Sequence, residues 1–472
     1  MGKPGGFLEF RRQDPGYRPV QERLQDYGAV ELPPPMPLAR EQAQRCMDCG
    51  IPFCHGHGCP LCNIIPEVND LASRGRWRQA LDLLLATNNF PEFTGRICPA
   101  LCEAACVLGI NDEPVTIRQI ELAVIEHAFD KGWMRPRTPP RRLPFRVAVI
   151  GSGPAGLAVA DTLNQAGCRV TVYDGDLRPG GILRYGIPDF KLEKWIIDRR
   201  IDLMREEGVE FEMQAAIGED LSARFLQTRF QAICLAGGAR QPRNIAVPGR
   251  GLDGIHFALD FLIQQNLRFA GDPIPEGPEL HASGKNVIVI GGGDTGSDCL
   301  GTALRQGAAS VTQLEIMPEP PAQRDPTTPW PLWPHMLRES SSHKEGGRRL
   351  WSVQTVGFSG KQGRLQMLHC VRTSGRPPEL QTVPGSEFDL PADMVLLAMG
   401  FTGPIRNKLA EELHLAHDTR GNLLTDADCM TNAPGVFAAG DAEKGASLVV
   451  RAIDNGRRCA AGILRRLESE KA

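Results

Sequence analysis

Apolar residues recur at helical spacing in the N-terminal stretch of the chain and in short β-branched runs after it. In LASRGRWRQALDLLLA, residues 71–86, Leu71, Trp77, Leu81, Leu84 and Leu85 fall close to one helical face. Residues 116–129 carry a second such face in Ile117, Ile120, Val124 and Ala128, opened by Thr116 and Gln119 at capping-box spacing. β-branched alternation is scarce throughout this segment, which predicts a helical unit ending at RPRTPPRRLP, residues 135–144, a stiff polar linker. Beyond it, RVAVIGSGPAGLAVADTLNQAGCRVTVYD reads as strand, glycine turn, helix and second strand. The same order returns in NVIVIGGGDTGSDCLGTALRQGAASVTQLE. Two such units predict an α/β architecture behind a helical front.

The turns carry the chemistry. Gly151, Gly153 and Gly156, with Pro154 and Ala155 between them, have GxGxxG spacing, and Asp174 closes the next strand. Glycines at these places allow a tight turn, close approach of a pyrophosphate and close helix packing, while the acid can hold ribose hydroxyls. Gly291, Gly293 and Gly296, with Asp294 and Thr295, repeat the pattern, and Glu315 stands where Asp174 does. Two dinucleotides in one chain serve to bring a nicotinamide onto a flavin for hydride transfer. AICLAGGAR, residues 232–240 with Gly237, and DMVLLAMGF, residues 393–401, read as strands returning the chain between the two units. GVFAAGDAEKGASLVV places a Gly440-Asp441 turn before a last helix starting near Ser447. Asp441 is there either a flavin contact or a plain helix cap.

Composition adds limits. The chain has 472 residues, 42% hydrophobic and 23% charged, with a net charge of -3, as expected for two or three globular domains. That charge gives no reason to expect nucleic acid or an anionic membrane as partner. The N-terminus lacks a signal-type apolar core and no run is long enough to span a bilayer, so a cytoplasmic protein is expected. Its 14 cysteines then belong to a reducing compartment and to metal or redox chemistry rather than disulfides. Cys46, Cys49, Cys54, Cys59, Cys62, Cys98, Cys102 and Cys106 cluster in the helical unit, and the other six are scattered singly as small apolar residues. Cys46, Cys49, Cys59 and Cys62 form a CxxC–x9–CxxC array that also reads as a zinc site, although zinc would strand the remaining four.

The paired GSGPAG and GGGDTG turns with GVFAAGD resemble the two-dinucleotide flavoprotein fold of glutathione and thioredoxin reductases. With MGKPGGFLEF, RCMDCGIPFCHGHGCPLCNIIPE, GRICPALCEAACVLGI and RPGGILRYGIPDFKLEK, the whole chain resembles the small (β) subunit family of glutamate synthase. It is more distantly similar to the N-terminal half of dihydropyrimidine dehydrogenase. The resemblance implies a helical domain over 1–144 holding two [4Fe-4S] clusters, an FAD domain of 145–245 and 395–472, and an NADH- or NADPH-binding domain of 246–394. It implies Cys46, Cys49, Cys54 and Cys106 on one cluster. Cys59, Cys98 and Cys102 would hold the other, with Glu121 at the position of an amide ligand in the related dehydrogenase. Gly181 and Gly237 join the implied cofactor contacts. Electrons would pass from the nicotinamide through FAD and the clusters to FMN in a large, amidotransferase-bearing subunit that forms glutamate from 2-oxoglutarate and glutamine. No acid, base or nucleophile in this chain is implied as catalytic. Cys62 departs from the family pattern.

Two other readings are weaker. A disulfide reductase needs a vicinal cysteine pair facing the flavin, which nothing from Cys168 onward supplies, and complete motifs in both units argue against a non-catalytic scaffold. The stretch 317–347 is long and rich in Pro and Trp. Exposed Trp330 and Trp333 on it would suit a partner surface, the alternative being a loop packed over its own domain. QLEIMPEPP offers Glu315 to both ribose hydroxyls with no arginine beside it, which predicts NADH over NADPH unless Arg324 or Arg338 folds back.

Overall fold

The structure, a computed structural model, describes residues 3–405 and 408–469. Its first sheet is parallel and built from β1 (Arg146–Ile150), β2 (Arg169–Asp174), β3 (Glu210–Met213), β4 (Ala232–Leu235) and a late strand, β16 (Val436–Ala438), in the order β16-β4-β1-β2-β3. An antiparallel ribbon of β5 (Gln241–Pro242) and β15 (Phe401–Gly403) carries the chain out and back. The second parallel sheet has β6 (Ile255–Phe257), β7 (Asn286–Ile290), β8 (Ser310–Leu314), β9 (Arg348–Leu350) and β14 (Met394–Leu397), ordered β6-β14-β7-β8-β9. Antiparallel strands β10 (Val353–Lys361), β11 (Arg364–Ser374), β12 (Gln381–Thr382) and β13 (Phe388–Pro391) pack beside it. The central strands β1, β4, β7 and β14 are buried nearly throughout, as Val/Ile/Leu runs covered on both faces must be: helices cover one face of β7 and β14, and the antiparallel strands cover the other.

The N-terminal unit is helical, with corrections to its details. Residues 71–86 form no single helix: Ile65–Ser73 ends at a turn where Gly75 takes φ 72°, and Trp77–Thr87 starts anew. Only glycine adopts that left-handed conformation without cost, so the apolar stripe is broken in two. The helix Ile117–Asp130 has no side-chain cap; the Thr116 hydroxyl is unpartnered and the Gln119 amide donates to Glu31 Oε1 instead of closing a capping box. The tertiary bond to Glu31 holds the Gln119 side chain, and its oxygen, which a capping box would turn to the Thr116 N–H, has no partner among the described residues.

This unit does not hang on its linker. Phe90, Phe93 and Ile120 share one apolar core with Val147, Leu157 and Ile453 of the first sheet unit. Arg142 in the linker donates to Asn164 Oδ1 and to the Cys168 and Glu207 carbonyls. Within the joint, Arg200 and Glu92 form a bidentate pair at 2.5 and 2.9 Å with both side chains almost wholly buried.

A buried ion pair is costly to leave half-made. Glu92→Ala is expected to lower stability by about 3–5 kcal/mol, and Glu92→Leu with Arg200→Met to recover most of it. Urea unfolding in which the single variant keeps the parental midpoint would refute this.

Candidate functional site

Both glycine turns open onto one cleft of about 1230 Å³ between the parallel sheets. At the first turn Gly151 has φ 108°, and a Cβ there would lie 2.4 Å from the Ala236 carbonyl oxygen. A Cβ on Gly156, behind the wall, would lie 1.9 Å from the Gly151 oxygen. Gly153 differs: nothing stands within 4 Å of its Cβ position, and it lines the cleft with Pro154 and Ala155. The second turn repeats this, with Gly291 and Gly296 crowded by backbone and Gly293 open beside Asp294 and Thr295. The outer glycines of each motif thus serve the protein's own packing, and the middle one leaves room for a ligand. The helices Pro154–Gln165 and Asp294–Arg305 begin at Gly153 and Gly293 with no side-chain cap, leaving their first N–H groups and positive dipole ends for an anion such as a pyrophosphate.

The two strand-ending acids have a common local role. Asp174 Oδ2 accepts from the Ser152 N–H at 2.7 Å and its hydroxyl at 2.6 Å, while Glu315 Oε2 accepts from the Gly292 N–H at 2.8 Å. Each carboxylate therefore braces its glycine turn while lining the cleft. Gly181 and Gly237 line the same cleft. Gly440, at φ 68°, is pressed so closely on Ala155 that a Cβ would come to 2.5 Å. Asp441 lines the cleft, and its carboxylate accepts from Ser447 Oγ at 2.8 Å; burial pushes its carboxyl up to about 6. It opens the short helix Asp441–Lys444 after Gly440, and its bond to Ser447 also reaches the approach to the last helix.

The clustered cysteines surround two separate cavities. Cys46, Cys49, Cys54 and Cys106 line one; Cys59, Cys98 and Cys102 line the other together with Glu121. Glu121 lies on the buried stripe of its helix and accepts a 2.9 Å hydrogen bond from Asn63. Burial pushes its carboxyl up to about 7, with the Asn63 donor pulling the other way. Burial likewise holds the Cys54 and Cys98 thiols up, to about 12 and about 11, and Cys102 well above its ordinary value. Thiols so placed need a cation to become thiolates, which the iron of a bound cluster would supply. No three such side chains among the described residues converge on a point for a single ion. Cys62, the fourth member of the alternative zinc array, is exposed at φ 52°, and Cys59 lies in a different cavity from Cys46 and Cys49.

Several polar residues of these walls escaped the sequence reading. Asn69 lines the first cavity, and Asn63 and Arg118 the second. A signal existed for Asn69, which shares the stripe of Ile65, Val68 and Ala72 where an apolar residue is expected.

The stretch 317–347 lies differently along its length. Trp330 is half-buried, stacked on Phe53 with centroids 4.6 Å apart, and its indole N–H donates to the Cys106 carbonyl at 3.3 Å. The loop thus packs on its own domain at its far end, where Ser340 meets Ser297 and His343 meets Gln313, and across the helical unit at its middle. Trp333 is exposed, as expected, beneath Arg338. The six scattered cysteines are buried; Cys234 and Cys459 approach to 3.6 Å between β4 and the last helix, where no substrate disulfide reaches.

Facing dinucleotide turns behind two thiol-lined cavities define a pyridine nucleotide oxidoreductase with an iron–sulfur unit at its front. Residues 145–456 match the family described as pyridine nucleotide-disulphide oxidoreductase, and residues 23–133 that of dihydropyrimidine dehydrogenase domain II, 4Fe-4S cluster. The FprA oxidoreductase of Mycobacterium tuberculosis, solved in complex with NADPH, shares the fold at a TM-score of 0.54 and 19% identity, over 70% of this chain and 86% of that one. The glutamate synthase [NADPH] small chain of M. tuberculosis is 52% identical over 100% of this chain and 97% of its own length, and that of Bacillus subtilis 43% over 98% and 97%. The Saccharomyces cerevisiae glutamate synthase [NADH] is 43% identical over 98% of this chain, which matches 22% of that longer protein. The chain belongs to the glutamate synthase small-chain family. No helix among the described residues is long and apolar enough to cross a membrane.

The glycine geometry separates folding from binding. Gly153 has φ −71°, which alanine adopts freely, so Gly153→Ala is expected to fold with stability changed by less than about 1 kcal/mol yet to retain little flavin. Gly156→Ala, driven into the Gly151 carbonyl, should cost about 1–3 kcal/mol or more. Thermal unfolding and flavin absorbance of the two variants check the pair; a Gly153→Ala protein with its full flavin content contradicts the assignment.

Proposed function

We propose that this chain is the electron-input subunit of a glutamate synthase, drawing electrons from NAD(P)H and delivering them to the FMN of a separate large subunit. Bound FAD would take the hydride pair, and two bound [4Fe-4S] clusters would carry the electrons singly. The residues named for FAD are Gly151, Gly153, Pro154, Ala155, Asp174, Gly181, Gly237 and Asp441, with Gly156 and Gly440 shaping the wall behind them. Gly291, Gly293, Asp294, Thr295, Gly296 and Glu315 are named for the nicotinamide cofactor. Cys46, Cys49, Cys54 and Cys106 would ligate an outer cluster, and Cys59, Cys98, Cys102 and Glu121 an inner one.

One observation carries the reading. Val450, at the head of the last helix, lines the cavity of Cys59, Cys98, Cys102 and Glu121, while its neighbours Leu448 and Val449 line the dinucleotide cleft. A single turn of helix therefore separates the place for a flavin from the place for a cluster. The other cavity is linked through Cys102 and Cys106, four residues apart on one short segment. Chemical analysis of anaerobically prepared protein is expected to give iron and acid-labile sulfide at about eight each, and Cys46→Ser to lose about half of both with flavin retained. Zinc in place of iron would overturn the ligand assignment.

We further propose NADH over NADPH. A 2′-phosphate beside Glu315 would meet like charge, which an NADPH site offsets with an arginine. Here Arg324 donates to the carbonyls of Thr328, Leu332 and Ala104, and Arg338 to that of Pro334, so both are engaged away from Glu315. Relatives carry either designation in their names. The comparison of kcat/KM for the two cofactors at fixed ionic strength decides: NADH should be favoured, and Glu315→Arg should move the ratio toward NADPH. A clear NADPH advantage in the parent refutes the preference.

A further inference from the structure

Asn69 is the one polar side chain in the wall of the outer cysteine cavity that has nothing to bond. It is 1% exposed, and neither its Nδ2 nor its Oδ1 has a hydrogen-bond partner among the described residues. The helix Ile65–Ser73 aims it, from the stripe shared with Ile65, into the space bounded by Cys46, Cys49, Cys54 and Cys106. The remaining wall is apolar, including Pro52, Ile65, Leu108 and Ile117. An unpaired buried amide is costly, so one retained in such a wall calls for a partner. Across the cavity it faces cysteine sulfur and apolar carbon, so sulfur is the acceptor within its reach.

The inner cavity makes a different use of the same residue type. Asn63 there donates to Glu121 Oε1 at 2.9 Å, and its own oxygen accepts from Thr87 Oγ1 at 2.9 Å. Its amide is spent on a carboxylate, whereas that of Asn69 is free.

We propose that Asn69 donates an N–H to sulfur of the outer cluster and so raises that cluster's reduction potential. Reduction adds one negative charge to the cluster, and a donor on its sulfur stabilises the reduced form more than the oxidised one. The apolar wall strengthens the effect, since little else screens the added charge. Asn69 is thus a positioning residue for the electron, drawing it outward from the inner cavity. The inference rests on the four cysteines being cluster ligands, as proposed above.

The test is an EPR-monitored redox titration of the full chain with its clusters in place, for the parent, Asn69→Leu and Asn69→Asp. In Asn69→Leu one cluster should lose about tenfold in its reduced-to-oxidised ratio at a fixed potential, about 59 mV for a one-electron couple. The other cluster, as internal reference, should stay put. Asn69→Asp, which replaces the donor with an anion, should fall further. Unchanged potentials in cluster-bearing variants overturn the inference while leaving the ligand assignment intact. Loss of the cluster in both variants also overturns it, because Asn69 would then serve assembly. Iron and sulfide analysis of the parent, done first, separates these from failure of the ligand assignment, which would remove both readings together.

Discussion

The close contact between the last helix and the first dinucleotide helix governs the arrangement of everything else. Gly456 of the helix Val449–Ser469 lies over Ala155 and Ala158 so tightly that a Cβ on it would stand 2.5 Å from the Ala155 carbonyl. Small residues on both sides let the two backbones approach, and the approach fixes where Val450 falls: between the cleft and the inner cysteine cavity. The helical unit is tied to the same contact. Arg457, one residue on, donates to Asn89 Oδ1 at 2.8 Å and to the Ala86 carbonyl at 2.9 Å, and the Asn89 amide donates to Asp161 of the first dinucleotide helix. One node therefore holds the front unit, the first glycine turn and the head of the last helix in fixed relation.

Electron transfer requires such rigidity more than it requires reactive groups. The cleft offers backbone N–H groups, open glycines and braced acids, and the cavities offer buried thiols. The carboxylates that first read as ribose holders are also structural, each fixing its turn through the N–H of the residue between the first two glycines. That double duty explains why an acid belongs at this place even before a ligand arrives: an unbraced glycine turn would have an unpaired buried N–H.

The stretch 317–347 adds a link between the second sheet unit and the outer cavity. Its far end is wired to the second glycine turn, with His343 Nε2 2.8 Å from Gln313 Oε1 and Gln313 donating to the Gly291 carbonyl at 2.7 Å. Its middle rests on Phe53 and the Cys106 carbonyl. Arg23 of the N-terminal unit pairs with Glu345 at the same far end, both side chains buried. The second sheet unit thus reaches the cysteine loop directly.

The sequence by itself determined whatever depends on local spacing: the strand, turn and helix of each GxGxxG unit, the acid after each second strand, and the segregation of eight cysteines into a helical front. These are short-range consequences of backbone sterics and periodicity, so they survive without tertiary information. Residue spacing could not divide the cysteines into two sets, since Cys54 and Cys59 are five apart yet line different cavities, while Cys54 and Cys106 share one. Nor could it show that Thr116 gives up its cap, that Gly75 splits an apolar stripe, or that Trp330 packs on a distant loop. Glu121 was reached only through the family resemblance and Asn69 not at all; what they face was decided by chain closure. Each of these outcomes is a competition between a local partner and a distant one, and only the packed tertiary structure fixes which partner is within reach.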